Sequence, residues 1–129
     1  MIQILKNSLI KKYFQFSGRA SRKEYWIIYI FYIGLGYFSI FIYTFSLKVF
    51  YFLFLLLFLF LLPSITVCVR RLHDINFSGW WFLLLNMLII IAEYYDYKFF
   101  FIIAWIGAIL LGLIQGNLTI NKYGEPPVN

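Results

Sequence analysis

Two stretches of this chain, residues 25–47 and 49–69, contain no Asp, Glu, Lys, Arg or His. A single lysine, Lys48, separates them. A helix rises about 1.5 Å per residue, so about 20 apolar residues cross the roughly 30 Å of bilayer hydrocarbon. Each stretch is long enough alone. One helix running through Lys48 would be about 68 Å long, so the pattern predicts two helices and a tight hairpin near residues 46–48. It predicts four spans in all, at residues 21–46, 49–72, 79–95 and 98–115. The third has a short uncharged core, residues 80–92, interrupted by Asn86. It crosses only if its ends reach into the interface, and a re-entrant segment is the rival reading.

Composition supports a membrane setting. Of 129 residues, 64% are hydrophobic and 12% charged, with a mean hydropathy of +0.85. A soluble domain carries about 25% charge, and a chain this short cannot hide so much apolar surface in one water-soluble core. The net charge of +6 does not point to nucleic acid, because the cations flank the apolar runs, as headgroup anchors do. Cys68 is the one cysteine. It allows no internal disulfide and no thiol-based metal site within one chain, and between Val67 and Val69 it reads as a packed, inert thiol. The basic start precedes a run too long for a signal h-region, with no small-x-small cleavage site after it. The N-terminus is expected to be retained.

Lysine and arginine counts set an orientation. Lys6, Lys11, Lys12, Arg19, Arg22, Lys23, Arg70, Arg71 and Lys122 fall on one side of the four predicted spans, and Lys48 and Lys98 on the other. The positive-inside rule then puts both termini in the cytoplasm, which requires an even number of spans. Trp26, Trp80 and Trp81 become anchors at the inner boundary, and Tyr94, Tyr95 and Tyr97 at the outer one.

Several local features refine this all-α bundle. Ile2, Leu5, Leu9, Tyr13 and Phe16 fall on one side of a helix, which predicts a short interfacial helix. A loosely ordered basic tail is the alternative. In the fourth span Ala104, Ala108, Gly112 and Gly116 recur every four residues, a smooth stripe suited to helix packing. Gly34 and Gly36 in the first span can accept it, as can a second copy of the chain. Pro63 predicts a bend in the second span, with Ser64 and Thr66 able to satisfy freed carbonyls.

Three polar motifs remain. In SGRASRKEYW (residues 17–26), Ser21 and Glu24 have capping-box spacing. In RRLHDINFSGWW (residues 70–81), Arg70 and Arg71 suit the negative end of the second helix. Ser78 or Asn76 can cap the third. In NKYGEPP (residues 121–127), Gly124 and two prolines read as a turn that stops the chain.

In this order and spacing the three strings resemble the small bacterial inner-membrane proteins grouped as domain of unknown function 805. The resemblance covers nearly the whole chain and implies a four-helix inner-membrane protein. It supplies no reaction or ligand. The segment between helices three and four is shorter than typical, and Phe77 stands where a small polar or basic residue is common.

With four spans, all three motifs meet at the cytoplasmic end. Arg19, Arg22, Lys23, Arg70 and Arg71 gather there against Glu24 and Asp74, with Asp74 expected to pair with Arg19 or Arg22. Three roles follow for such a cluster: a structural clamp, a site for anionic lipid headgroups, or a dock for a partner's acidic segment. The candidate binding residues are Arg19, Arg22, Arg70, Arg71, His73 and Asp74, with His73 able to make binding pH-sensitive. One histidine and one cysteine exclude most metal sites, no glycine-rich phosphate loop is present, and no cofactor or enzyme activity is expected. The intramembrane polar groups (Ser39, Ser64, Thr66, Asn86, Gln115) are thin for a proton path. The leading reading is a non-catalytic membrane component binding lipid or a partner membrane protein. The alternative is an oligomeric channel or small transporter subunit.

Overall fold

The computed structural model describes residues 6–95 and 98–127. The described residues form four α-helices: α1 Arg22–Tyr43, α2 Leu47–Asp74, α3 Trp80–Tyr94 and α4 Lys98–Leu113. They contain no strand, only an isolated bridge between Asn121 and Gly124. The chain divides into two compact units. The first holds the N-terminal segment to Phe16 with Lys23–Val67. The second holds Ser17–Arg22 and the chain from Cys68 onward.

In the first unit α1 and α2 form an antiparallel hairpin. Its turn lies slightly earlier than the sequence suggests. Phe45 and Ser46 both donate their amides to Ile42 O at 2.9 Å, closing α1. Ser46 then caps α2 through the Val49 amide at 3.5 Å, so Lys48 falls inside the first turn of α2. Phe31 meets Phe60 and Tyr43 meets Phe50, each at 5.1 Å between ring centres. Gly36 faces Leu57 of α2, so it serves this hairpin. Only 17% of the most apolar stretch of α1 and 33% of that of α2 is buried. A core helix of a soluble protein would be covered. Here Phe38, Phe41, Phe52, Phe54 and Phe58 all stand exposed, an apolar surface suited to lipid.

Pro63 sits within α2. Its missing N–H leaves the carbonyl four residues back, Leu59 O, without its usual donor. Ser64 and Thr66 bond Leu61 O and Pro63 O instead. Leu59 O is taken by the hydroxyl of Tyr13 at 2.6 Å. Of the predicted interfacial helix, the structure shows one π-turn, Asn7–Lys11, with Ile10 and Phe14 exposed. Ile2 and Leu5 lie outside the described residues. Glu24 accepts Ser8 Oγ at 2.8 Å and Lys12 Nζ at 3.5 Å. The buried carboxylate expected to cap α1 is seen here anchoring the N-terminal segment.

In the second unit α2 ends in a tight cap. The Phe77 amide reaches Leu72 O at 2.9 Å and the Asn76 amide reaches His73 O at 3.0 Å. Asn76 takes φ 65°, the left-handed residue of a Schellman ending. Asn76 therefore closes the second helix rather than opening the third, because its short amide side chain tolerates that conformation. Ser78 accepts the Trp80 amide at 3.4 Å, a long contact at the start of α3. A Cβ on Gly79 would lie 2.6 Å from Val69 Cγ1, so only glycine lets this loop approach α2. α3 and α4 pack together. They have 15 and 16 residues, about 23 Å each. α4 stops at Leu113, so Gly116 falls outside the predicted stripe, while Ala104, Ala108 and Gly112 remain on the helix.

Asn76→Ala is expected to lower stability by about 1 kcal/mol, the cost of a Cβ-bearing residue without a compensating side chain in the left-handed region, while Asn76→Gly holds or raises it. Thermal midpoints of the two variants in mild detergent check this ordering.

Candidate functional site

The second unit is organised around one carboxylate. Arg71 and Asp74 lie three residues apart on the last turns of α2, hence on one face. The loop before α1 brings Arg19 to the same place. Gly18 takes φ 83°, a turn open to glycine, and the Ala20 amide bonds Arg70 O at 3.0 Å. Arg19 Nε and Nη2 each lie 2.8 Å from Asp74 Oδ1. Arg71 Nη1 donates to Asp74 Oδ2. All three side chains are buried, with Arg71 fully so.

Two guanidiniums on one carboxylate leave an excess positive charge, and burying charge is costly unless every donor is met. Backbone carbonyls meet them. Arg19 Nη1 donates to Thr119 O at 2.8 Å and Gly124 O at 3.3 Å, and Nη2 donates to Asn117 O. Arg71 Nε donates to Leu111 O at 3.0 Å and Nη2 to Ile114 O. Those last two carbonyls end α4, where in-helix donors run out and the dipole is negative. Arg71 thus caps α4 from another helix. The Asp74 carbonyl in turn accepts the Asn117 amide at 2.9 Å. At Gly116 any Cβ would collide with the Asp74 carboxylate. That close approach, not a helix stripe, explains this glycine.

His73 belongs to the same knot. Its Nδ1 lies 3.1 Å from Gly18 O. A carbonyl only accepts, so the proton is on Nδ1. The ring stacks on Tyr123 at 3.8 Å with planes 4° apart, and Asn121 Nδ2 donates to His73 O at 2.9 Å. The 121–124 turn is closed by paired backbone bonds between Asn121 and Gly124 and by the Tyr123 amide on Asn121 Oδ1 at 2.9 Å. The NKYG motif is therefore a docking turn for the end of α2.

The predicted residues thus have different fates. Arg19, Arg71, His73 and Asp74 come together. Arg70 is buried beside them, and its carbonyl receives the loop. Ser21 is buried and directly precedes α1. Arg22 is exposed, at the mouth of a cleft of about 100 Å³ that Arg71, Gln115, Gly116 and Asn117 also line. Among the described residues no group of three His, Cys, Asp or Glu side chains is placed to hold a metal. Asn117, Thr119, Asn121 and Tyr123 escaped the sequence reading as site residues. The NKYG string signalled a turn, but nothing local to it names His73 as its seat.

Asp74→Asn leaves two buried guanidiniums without a countercharge and is expected to cost about 3 kcal/mol or more. Gly116→Ala is expected to destabilise through the same carboxylate by displacing it. Thermal unfolding in detergent measures both, and a Gly116→Ala protein as stable as the parent would refute the close approach.

A family model described as "Protein of unknown function (DUF805)" matches residues 13–125. Inner membrane protein YhaI of Escherichia coli (strain K12) is 31% identical over 123 residues, covering 93% of this chain and 92% of that protein. Inner membrane protein YhaH of the same strain is 30% identical over 125 residues, covering 92% of each. No solved structure matches. The knot's loop, its helix end and all but the last residues of its tail lie inside the matched region, and this chain belongs to the DUF805 family.

Proposed function

We propose that this chain is a non-catalytic, multi-pass protein of the bacterial inner membrane. It crosses four times with both termini in the cytoplasm, and it binds anionic lipid headgroups through the cations its fold leaves exposed. The observation that carries the reading is the division among the arginines. Arg19 and Arg71 are buried with their donors spent on Asp74 and on carbonyls. Arg22, followed by the exposed Lys23, faces outward. Arg70 is buried beside them, so the buried arginines form the structural clamp and ligand contact falls to Arg22 and Lys23.

The nine-to-two distribution of cations supports the orientation. Relatives named as inner membrane proteins support the compartment. α3 and α4 are shorter than the hydrocarbon is thick, a mismatch that local thinning and interfacial aromatics accommodate. The exposed Trp80 and Trp81 at one end of α3 and Tyr94 and Tyr95 at the other suit that role.

Native mass spectrometry of protein extracted in mild detergent tests the binding. The parent is expected to carry phosphatidylglycerol or cardiolipin. The double variant Arg22→Ala, Lys23→Ala is expected to lose most of that lipid while keeping its thermal midpoint. Arg71→Ala is expected to lower the midpoint by several degrees. Retention of the acidic lipid by the double variant would remove this reading.

A further inference from the structure

In the first unit, apart from Ser39 and Leu53, which are buried, exposure of the two helices changes at one level. Before Pro63, α2 exposes Tyr51, Phe54, Phe58 and Leu61. From Pro63 onward Ser64, Thr66 and Val67 are buried. α1 switches at the matching height: Glu24, Tyr25 and Ile28 are buried, Ile30 and Phe31 exposed. The Phe31–Phe60 contact puts the two switches level with each other. Tyr13 meets the hairpin there, bonding Leu59 O on the turn before Pro63.

The segment that Tyr13 fixes is amphipathic in a particular way. Ile10 is 68% exposed, Phe14 70% and Phe16 44%, and Lys6 and Lys11 are exposed among them. Its polar contacts are turned inward, from Ser8 and Lys12 to Glu24. Outward aromatic and aliphatic side chains interleaved with lysine match the headgroup layer of an anionic membrane, where rings sit at the acyl boundary and ammonium groups meet phosphate.

We infer that residues 6–16 lie in the headgroup layer as a lipid-surface anchor, clipped to α2 by Tyr13 on the turn before Pro63. The clip sets the level at which hydrocarbon begins. The last turns of α2, after Pro63, then stand outside the hydrocarbon. The lipid-facing part of α2, residues 47–62, is about 24 Å long, close to the lengths of α3 and α4. The hydroxyl of Tyr13 does two things there. It supplies the donor that proline removed, and it holds the segment at a fixed depth. The inference rests on the reading that the α1–α2 hairpin spans the membrane.

Nitroxide labels report the depth. Phe14→Cys and Phe58→Cys are each made with Cys68→Ser, labelled, and reconstituted in vesicles of phosphatidylethanolamine and phosphatidylglycerol. Collision with oxygen, enriched in hydrocarbon, is compared with collision with a water-soluble nickel chelate. The Phe58 label is expected to favour oxygen strongly, and the Phe14 label to give an intermediate, headgroup ratio. Adding Tyr13→Phe is expected to shift the Phe14 ratio severalfold toward water and leave the Phe58 ratio unchanged. A Phe14 label as accessible to nickel as one free in solution, or as oxygen-rich as the Phe58 label, overturns the anchor. An unshifted Phe14 ratio in the Tyr13→Phe protein overturns the clip. A Phe58 label that reads as aqueous overturns the spanning hairpin itself, which separates that failure from the other two.

Discussion

The Asp74 carboxylate is the constraint around which the second unit is built. It is buried and faces two guanidiniums. Without it two buried guanidinium charges would lack a countercharge, which is strongly destabilising. Each guanidinium then spends its remaining donors on carbonyls from other segments: the end of α4, the stretch after it, and the 121–124 turn. One acidic group therefore organises strands of chain about 100 residues apart in sequence. This is a costly way to build a core, since replacing a buried ion pair with apolar groups is often neutral or stabilising. It gains specificity of position. A guanidinium donates its hydrogen bonds in its own plane, so the loop, the helix ends and the tail are fixed in register.

That arrangement changes how the positive charge is understood. In sequence the arginines look like one basic surface. In the fold Arg19, Arg70 and Arg71 are buried, while Arg22, with Lys23 after it, faces the surroundings. The physical basis is reach. Residues on the last turns of α2 and in the loop at Gly18 point into the carbonyl-rich end of α4. Arg22 and Lys23 start a new helix and project from it.

The first unit meets a related problem with neutral groups. Pro63 brings no amide donor to α2 and so frees a carbonyl. A tyrosine from a remote segment supplies the donor, and a buried glutamate holds the same segment by a hydroxyl and a lysine. Both units thus use side chains from irregular segments to complete the hydrogen bonding of helix interiors and ends.

Where helices form and where they end can be read from the chain alone. Charge-free runs and the glycine- and proline-bearing turns act over a few residues, so they are legible without a fold, whereas α2 runs on through Pro63. The sequence also narrowed the partner of Asp74 to Arg19 or Arg22, because opposite charges are few enough to match, and the fold chose Arg19. Only the tertiary structure decided the partners of uncharged groups. Tyr13 for Leu59 O, Asn121 and Tyr123 for His73, and the fit of Gly116 against a carboxylate depend on segments brought together from afar. It also decided that Asn76 ends α2, since a helix that runs to Asp74 needs its left-handed residue there. Periodicity names a helix and its faces; which carbonyl lacks a donor, and which side chain arrives to supply one, is a property of the packed chain.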